Sequence, residues 1–297
     1  MNAKHYLVID IGGSSIKHAW MSQNEIEEKG EKIRTPKTSL EEFEAILLGL
    51  VDNYRDRIDG IAISAPGWIE SDTGYFHHGG ALQYLNGRNL AEALHARTGL
   101  RVTIDNDANC AALAELELGS MKDVANGMVI VIGTGVGAGL ILNHQLYRGS
   151  HFNAGEYGMM NASFVQREVS LGRLTRSHAL LERYADLIGV DPEKIRGVAY
   201  FRKVEEGEAA ALQALEEYCQ ILVSSISSVQ ALLDLEVIAI GGGYSREPMF
   251  LEYLNRAMED CYRPFEPTYR KRPKLVLCAL GNDANLYGAL HWHLKKA

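Results

Sequence analysis

Three apolar stretches rich in β-branched residues each end in a cluster of glycines. They cover residues 5–15 (HYLVIDIGGSS), 127–139 (GMVIVIGTGVGAG) and 235–245 (LEVIAIGGGYS). Such runs are typical of buried strands that end at a tight turn. After the first two, an alternating stretch follows at once, IKHAWMSQ and LILNHQLYRG, which predicts a strand, glycine turn and strand in each half of the chain. The repeated hairpin suggests an internal duplication.

Amphipathic segments with helix signals lie between these strands. Ser39 and Glu42 form a capping box before a helix that is expected to reach about Arg57. Asn89 opens a second helix, which Gly99 ends. Strands that alternate with helices indicate an α/β protein.

The remaining helix signals divide the chain into two lobes. Asp107 stands where an N-cap belongs, before a helix that Gly119 ends. Further helices are predicted over 208–234, 248–261 and 283–296, whereas 161–200 has no strong strand pattern. The chain is predicted to cross from one lobe to the other near residues 119–127, and the final helix is predicted to return to the first lobe. We expect one lobe from 1–119 plus 283–297 and the other from 120–282.

Composition limits the possible partners. The 297 residues carry a formal net charge of -8, and this acidic balance argues against a nucleic-acid-binding face. No stretch approaches the roughly 20 apolar residues of a membrane span. The 4 cysteines are widely separated, which is typical of buried thiols in a reducing cytoplasm rather than of disulfides or a metal site.

The first glycine turn has the composition of a phosphate site. Small residues let backbone N–H groups approach a phosphate without a Cβ in the way, and a carboxylate at the strand end could orient a Mg²⁺-bound water. An ordinary glycine hairpin fits the same pattern. The candidate residues are Asp10, Gly12, Gly13, Ser14, Ser15 and Lys17.

The second glycine turn is a further phosphate candidate. Gly133, Gly135 and Ala138 satisfy a loose dinucleotide fingerprint, but that motif must open a helix and here a strand-like stretch follows. A Walker A loop is excluded because the chain has no Gly-Lys pair. A phosphate-binding hairpin fits better. Its candidates are Gly133, Thr134, Gly135 and Gly137.

The third glycine cluster, Gly241, Gly242 and Gly243, leaves a surface free of side chains on which a nucleoside could lie. A plain turn between a strand and a helix explains the same three residues.

Two carboxylates stand among polar neighbours that suit a sugar. Asp107 could accept the proton of an alcohol during phosphoryl transfer, or serve only as a helix cap. Asn106 and Asn109 beside it suit sugar hydroxyls or the support of the loop. Glu156, within Gly155-Glu156-Tyr157-Gly158, could bind a pair of sugar hydroxyls or be a solvated loop carboxylate.

Taken in order, these segments resemble the ROK family of repressors and sugar kinases, over nearly the whole chain. Each motif is weak alone, but eight in the same order are specific. They are IDIGGSSIK (9–17), AISAPGWIE (62–70), NGRNLAEAL (86–94), IDNDANCAALAE (104–115), VIGTGVGAGLI (131–141), RGSHFNAGEYG (148–158), AIGGG (239–243) and GNDANLYGAL (281–290).

The resemblance implies an ATP-dependent sugar kinase with an actin-like, ribonuclease H-like fold, in which ATP and sugar meet between two lobes. It also implies Mg²⁺, a cytoplasmic homodimer, and no nucleic-acid or membrane partner. Asp107 would be the base, the first two glycine turns would hold phosphates and the third would pack against adenosine. The sugar contacts that it implies are Gly67, Asn89, Asn106, Asp107 and Glu156.

The chain departs from the family pattern after the glutamate loop. Met159 and Met160 follow Gly158 where most members carry a histidine, and no cysteine lies between Cys110 and Cys219, so a structural zinc is not expected. A second sugar-binding glutamate has no secure match; Glu168 is a candidate. This zinc-free pattern looks most like the bacterial β-glucoside kinases, which phosphorylate the 6-hydroxyl of a glucosyl unit.

Four other functions fit less well. A kinase for glucose or N-acetylmannosamine differs only in the acceptor. Repressors of the family carry an N-terminal DNA-binding extension, whereas the first strand is predicted to begin near His5. A non-catalytic sugar-binding regulator would not need Asp10, Asp107 and both glycine turns, and a dinucleotide-dependent oxidoreductase depends on the loose fingerprint alone.

Overall fold

A computed structural model of the chain describes residues 4–23, 25–163, 169–265 and 271–296. These residues form two compact units. The first unit consists of Met1–Gly119, Leu146–Ala154 and Asn282–Ala297, and the second of Ser120–Gln145 and Gly155–Gly281. The segment Leu146–Ala154 therefore belongs to the first unit, although the sequence-based division placed it in the second lobe. Within this segment, Arg148 contacts Asp105 of the first unit.

The elements of the first unit alternate between strands and helices. In chain order they are β1 (Tyr6–Ile11), β2 (Ser15–Met21), β3 (Ile26–Lys29), β4 (Ile33–Arg34), α1 (Leu40–Tyr54), β5 (Gly60–Ala65), β6 (Trp68–Glu70), β7 (Tyr75–His78), β8 (Arg88–Asn89), α2 (Leu90–Thr98), β9 (Arg101–Asn106) and α3 (Asp107–Leu118).

The second unit follows, before the chain returns to the first. Its elements are β10 (Gly127–Ile132), β11 (Val136–Leu142), β12 (Gln145–Tyr147), α4 (Leu171–Thr175), α5 (Ser177–Ile188), α6 (Gly197–Glu205), α7 (Ala209–Leu233), β13 (Val237–Gly242), α8 (Pro248–Tyr262) and β14 (Lys274–Leu277). The last helix, α9 (Ala284–Lys295), belongs to the first unit.

The main sheet of the first unit has the strand order β3-β2-β1-β5-β9, and β4 also pairs with β2. The predicted hairpin is present, since β1 and β2 are antiparallel, and β5 and β9 continue the sheet in parallel. Because side chains alternate across a strand, β1 supplies both sides of the sheet. Leu7 and Ile9 pack in the cluster that includes Phe43 of α1, whereas Val8 packs with Leu290 of α9.

Helices α3 and α9 cross closely against this sheet. A Cβ at Gly288 would overlap the backbone of Cys110, so the glycine permits the close approach. The crossing places the final helix beside the start of α3, where the candidate base lies.

The predicted helix caps are mostly confirmed, with one correction. Ser39 and Asn89 accept hydrogen bonds from the N–H groups three residues on, and Gly99 ends α2 in the left-handed region at φ 72°. The expectation that Asp107 is the N-cap of α3 is wrong. Asn106 is the cap: its Oδ1 accepts from the N–H groups of Ala108 and Asn109, and Asp107 is the first helical residue.

The second unit repeats the sheet plan of the first. Its strand order is β12-β11-β10-β13-β14, with β10 antiparallel to β11 and parallel to β13, and β13 parallel to β14. The second predicted hairpin is therefore confirmed, and the matching order supports the internal duplication. Helices α5 and α8 pack against the long helix α7.

A separate three-stranded sheet, β6-β7-β8, was not anticipated from the sequence. Within the described residues, none of the helices is both long and apolar enough to cross a membrane.

Candidate active site

The first glycine turn lies between β1 and β2, with Asp10 at the end of the fully buried strand β1. Several of its backbone N–H and carbonyl groups form hydrogen bonds with neighbouring residues. The Gly12 N–H donates to the Ser15 carbonyl at 2.9 Å, and Thr35 Oγ1 donates to the Gly12 carbonyl at 2.7 Å. Lys37 Nζ contacts the Gly13 carbonyl. Ser14 is exposed at the tip. The turn thus has a fixed backbone with an open tip, as a phosphate cradle requires.

Asp10 is 4% exposed and its carboxylate is surrounded by donors. Oδ1 accepts from Ser64 Oγ at 3.1 Å and from Asn285 Nδ2 at 3.0 Å, and Oδ2 pairs with Lys17 Nζ at 2.9 Å. Lys17 also reaches the carbonyl of Asn282 at 3.5 Å. Lys17 was expected to bind a phosphate, but two of its three ammonium donors are used by Asp10 and by the Asn282 carbonyl. One donor is left for a ligand.

The candidate base loop joins β9 to α3. Asp107 is half-buried at the first turn of α3, and its Oδ1 accepts from the Ala108 N–H at 2.8 Å. The amide of Asn106 performs the capping and also donates from Nδ2 to the carbonyl of Gly67 at 2.9 Å. Gly67 has φ 117°, and a Cβ there would overlap the carbonyl of His78. The structure therefore brings Gly67, Asn106 and Asp107 together.

The described hydrogen bond of Asn89 is made to a different part of the first unit. Its Oδ1 caps α2 by accepting from the Glu92 N–H at 3.0 Å. It also lines a cavity of about 220 Å³ with Leu40, Glu44 and Arg88, among others. The described contacts do not connect Asn89 to the base loop.

In the second unit, Ser177 connects the second and third glycine clusters through hydrogen bonds. The Gly133 N–H donates to the Gly135 carbonyl at 2.8 Å, while the Gly133 carbonyl accepts from the Ser177 N–H at 2.9 Å. Ser177 begins α5, and its own carbonyl accepts a hydrogen bond from the hydroxyl of Tyr244, which follows Gly243. Thr134 is exposed at the tip, and Gly137 lies in β11, paired with Val131. The second and third glycine clusters are therefore neighbours.

The glycines of these turns differ in what surrounds them. Gly242 has φ 97° and a Cβ there would overlap the carbonyl of Ile132, so the backbone requires glycine. A Cβ at Gly241 would lie 3.0 Å from Cys278 Sγ. At Gly135 and Gly243 a Cβ would meet no atom within 4 Å. Gly243 opens a 3₁₀ turn, so the cluster does not lead directly into a helix.

Glu156 begins a 3₁₀ turn over Tyr157–Met159 in the second unit. It follows Gly155, at φ 88°, where a Cβ would overlap the Ala138 carbonyl. Its side chain is half-buried, and burial raises the pKa of the carboxyl above its usual value. Within the described part of the chain its carboxylate has no hydrogen bond or ion pair, so both oxygens can accept from a ligand or from water. Glu168 lies outside the described residues.

Sequence reasoning missed two residues of the base loop's surroundings. Asp105 is fully buried, and Arg148 binds its carboxylate from 43 positions away in the chain. The sequence showed Arg148 only as part of a turn before the glutamate loop. The one available signal was an aspartate at the end of a buried strand, which needs a cation or several donors.

Comparison with known proteins decides the family. The sequence matches the ROK family over residues 6–296. This chain belongs to the ROK family. It is 34% identical over 244 residues to a β-glucoside kinase of Listeria monocytogenes, covering 80% of each chain. It is 30% identical over 292 residues to a β-glucoside kinase of Klebsiella pneumoniae, covering 95% of this chain and 93% of the relative.

A solved structure agrees with the sequence relatives. A ROK-family protein of Streptococcus pneumoniae, determined with sucrose, has a TM-score of 0.86 and 31% identity, covering 98% of this chain and 99% of its own. These matches confirm the predicted family, its actin-like α/β fold and the ATP-dependent carbohydrate kinase activity.

Proposed function

We propose that this ROK-family kinase transfers the γ-phosphoryl group of ATP to the 6-hydroxyl of the glucosyl unit of a β-glucoside such as cellobiose. The observation that carries the proposal is the similarity to two β-glucoside kinases at 30% identity or more, each over at least 80% of this chain. The geometry of the base loop supports the kinase chemistry, because Asn106 rather than Asp107 is the N-cap of α3, and Asp107 is the first residue of that helix.

Asp107 accepts the proton of the sugar hydroxyl as its oxygen forms the new bond to phosphorus. The bond from the γ-phosphorus to the bridging oxygen breaks, and ADP leaves with that electron pair. A positioned base of this kind contributes about 10²–10⁴-fold to the rate. The fixed backbone around Asn106 supports the required positioning of the acceptor.

The glycine turns suit the nucleotide. Gly135 and Gly243 present backbone with open space where a side chain would stand, so phosphates and adenosine can approach it closely. The N–H of Gly13 and the remaining donor of Lys17 would hold phosphate oxygens in the first unit, while Gly12, whose N–H donates to the Ser15 carbonyl, shapes the turn. Each turn by itself therefore suits a phosphate or the adenosine of ATP.

Magnesium fits the site through phosphates and water. The Asp10 carboxylate is already engaged by Lys17, Ser64 and Asn285, and within the described ranges no group of three His, Cys, Asp or Glu residues is placed to hold a metal. When bound with ATP, Mg²⁺ would neutralise charge on the transferring phosphoryl group. Asp10 and Lys17 would orient its waters and its phosphate oxygens.

The sugar-facing part of the proposal rests on Glu156 and on the loop that follows it. Among the described residues no group pairs with the Glu156 carboxylate, which lies in a half-buried turn and so suits two sugar hydroxyls. Met159 occupies the position of the usual histidine and is 70% exposed. A flexible thioether leaves more freedom than a histidine held at a metal, which would admit a second sugar ring. The sucrose complex of the Streptococcus pneumoniae relative is consistent with a two-ring ligand.

A panel of acceptors tests the substrate class. Release of ADP would be measured with cellobiose, methyl β-glucoside, methyl α-glucoside, glucose and N-acetylmannosamine at equal concentrations. We expect the highest kcat/KM with cellobiose and activity with the β- over the α-methyl glucoside. A preference for a free monosaccharide would contradict the β-glucoside assignment and leave the kinase assignment standing.

The second candidate is a monosaccharide kinase. Relatives with 26% identity include an N-acetylmannosamine kinase of Haemophilus influenzae and a glucokinase of Halalkalibacterium halodurans. The same panel distinguishes them. A non-catalytic regulator would bind cellobiose without releasing ADP.

The cellular compartment and the oligomeric state of the enzyme are proposed from its cysteines and its family. Cys110 and Cys219 are free and buried, which suits the reducing cytoplasm. The homodimer follows from the family resemblance, and light scattering during size-exclusion chromatography would test it.

A further inference from the structure

The most extensively bonded ionised group beside the base loop is the carboxylate of Asp105, two residues before Asp107. Its side chain is 0% exposed, and that of its partner Arg148 is 14% exposed. Arg148 Nε donates to Oδ2 at 3.2 Å and Nη2 contacts the same oxygen. Oδ1 accepts from Ser71 Oγ at 2.5 Å and from the Asn106 N–H at 2.9 Å. Both oxygens are therefore held.

These bonds form a closed ring with α9. The Arg148 guanidinium lies over the Trp292 ring, with Cζ 3.7 Å from the ring centroid. Trp292 Nε1 donates to the Ser71 carbonyl at 3.3 Å, and Ser71 Oγ returns to Asp105. A planar guanidinium can pair with a carboxylate and stack on an aromatic ring at once, which a lysine cannot.

Asp105 connects this ring of bonds to the backbone that carries the base. The Asp105 carboxylate holds the N–H of Asn106, and Asn106 holds both the start of α3 and the Gly67 carbonyl. Displacement of Asp105 would therefore shift Asn106 and, with it, the first residue of α3. That residue is Asp107.

We propose that Arg148 is a positioning residue of the kinase: through Asp105 and Asn106 it fixes the loop that presents Asp107 to the sugar hydroxyl. The inference rests on the proposed role of Asp107 as the base. Arg148 itself does not touch the reacting atoms. Its effect is on the geometry of proton transfer, and a misplacement of about 1 Å can cost a kinase roughly 100-fold in rate.

The test compares Arg148→Met, Arg148→Lys and Asp107→Asn in the full chain, with ADP release measured against cellobiose and ATP. Sugar affinity would be measured separately by calorimetry. We expect Arg148→Met to lower kcat about 10–100-fold while the sugar Kd changes less than about threefold. Arg148→Lys, which keeps the charge and loses the fork, should recover only part of kcat.

Arg183→Met is the matched control. Arg183 also pairs with a carboxylate through Nε, that of Glu217 at 2.5 Å, but it belongs to the second unit, and its described polar contacts do not include the base loop. It should leave kcat unchanged. This control separates the loss of a particular guanidinium from the loss of any paired arginine.

Arg148→Met leaves the buried Asp105 carboxylate without its cation, which destabilises the protein, so the folding of this variant has to be measured. The double variant Asp105→Asn, Arg148→Met removes both charges and should fold. It should still show the lowered kcat, because the loop loses its fixed point. Circular dichroism and a thermal melt would establish that each assayed variant is folded at the assay temperature.

The outcomes are distinguishable. A folded Arg148→Met or double variant with the kcat of the unmodified enzyme would overturn the positioning role, as would a rise in sugar Kd with unchanged kcat. If Asp107→Asn also stayed active, the proposed base would be wrong instead. Inactive Asp107→Asn with fully active Arg148 variants would leave the proposed function intact and reject this inference alone.

Discussion

Asn106 and Asp107 are adjacent polar residues with separate tasks. Asn106 closes the start of α3 with two accepted N–H bonds, and its other end holds the Gly67 carbonyl. Asp107 is the first residue of the helix, where a negatively charged side chain is stabilising because of the partial positive charge of the helix N-terminus. An ionised carboxylate is what a base needs before it accepts a proton.

Substitution of Asp107 by asparagine should therefore remove activity without unfolding the protein. We expect kcat to fall about 10²–10⁴-fold, with ATP and sugar affinities near those of the unmodified enzyme. Asn106→Ala is the paired variant, and it should cost about 1 kcal/mol of stability through the lost cap. Coupled ADP release and thermal melts would be compared for both. Full activity of Asp107→Asn would show that another group accepts the proton.

Glu156 predicts a pH dependence of sugar binding. Because burial raises the pKa of its carboxyl above the usual value, the group protonates at a higher pH than an exposed glutamate does. Sugar hydroxyls donate to the ionised form, so the KM for cellobiose should rise as pH falls through the raised pKa and stay low above it. Glu156→Gln should have a higher KM that changes little with pH. A parallel pH dependence in both proteins would exclude Glu156 as the cause.

The limits of sequence-based prediction are clearest at these residues. Asp107 and Asn106 are both good caps, and only the end of β9 decides between them; the strand continues through Asn106. Arg148 could not be paired with Asp105 because 43 residues separate them and nothing local predicts that contact. Asp107, Asn106 and Glu156 were singled out from the sequence as a base and sugar contacts; the structure places them at the start of α3 and before a 3₁₀ turn, and their roles stay predictions.

At the scale of elements, the turn after β13 combines a structural and a functional glycine. Gly242 is confined by the Ile132 carbonyl and a positive φ, whereas Gly243 faces open space. Gly242→Ala should destabilise the protein by more than about 1 kcal/mol, because alanine is strained at that backbone conformation. Gly243→Ala should leave the melting temperature unchanged and raise the KM for ATP, if adenosine packs there.

Thermal melts and ATP kinetics of the two alanine variants provide the comparison. Equal melting temperatures would show that the β10–β13 contact does not need a glycine at Gly242. An unchanged KM for ATP in Gly243→Ala would place the adenosine elsewhere.

Element prediction succeeded where the signal was local. Strands that end in glycines and helices with Ser39 and Asn89 caps are determined by their own residues. The small β6-β7-β8 sheet was missed because its strands are only two to four residues long and show little alternation. The place of Leu146–Ala154 was missed because it depends on Arg148 and on the Trp68 indole, which donates to the His151 carbonyl at 2.6 Å.

At the scale of the whole molecule, both units use the same sheet plan, and each keeps its glycine turns after the first strand of its hairpin. In the first unit the turn is preceded by the carboxylate Asp10, and the helices α3 and α9 pack together. The repeated plan therefore gives each unit a glycine turn of the kind proposed for phosphates, and the proposed base lies in the first unit.

The α3–α9 region also makes the first unit sensitive to acid. His293 on α9 is 0% exposed, with Nδ1 2.9 Å from Thr103 Oγ1. Burial, with the charge of Arg101, lowers its pKa to about 3. An unfolded histidine titrates near a pKa of about 6.5, so between these values the unfolded state binds one proton more than the native state. Stability should therefore fall as pH decreases from about 6.5 toward 3, by about 1.4 kcal/mol per pH unit from this residue.

Tryptophan fluorescence can follow this effect within the first unit, since Trp20, Trp68 and Trp292, the 3 tryptophans of the chain, all belong to it. Urea unfolding would be measured at several pH values between 7 and 4.5 for the unmodified protein and for His293→Gln. The variant should lose less stability on acidification, with a slope smaller by about 1.4 kcal/mol per pH unit.

Some slope should remain, because burial also lowers the pKa of His18 and His291. The exposed His178 of the second unit provides the control, and His178→Gln should follow the unmodified protein. Identical slopes for His293→Gln and the unmodified protein would show that His293 is not the buried group that acid titrates.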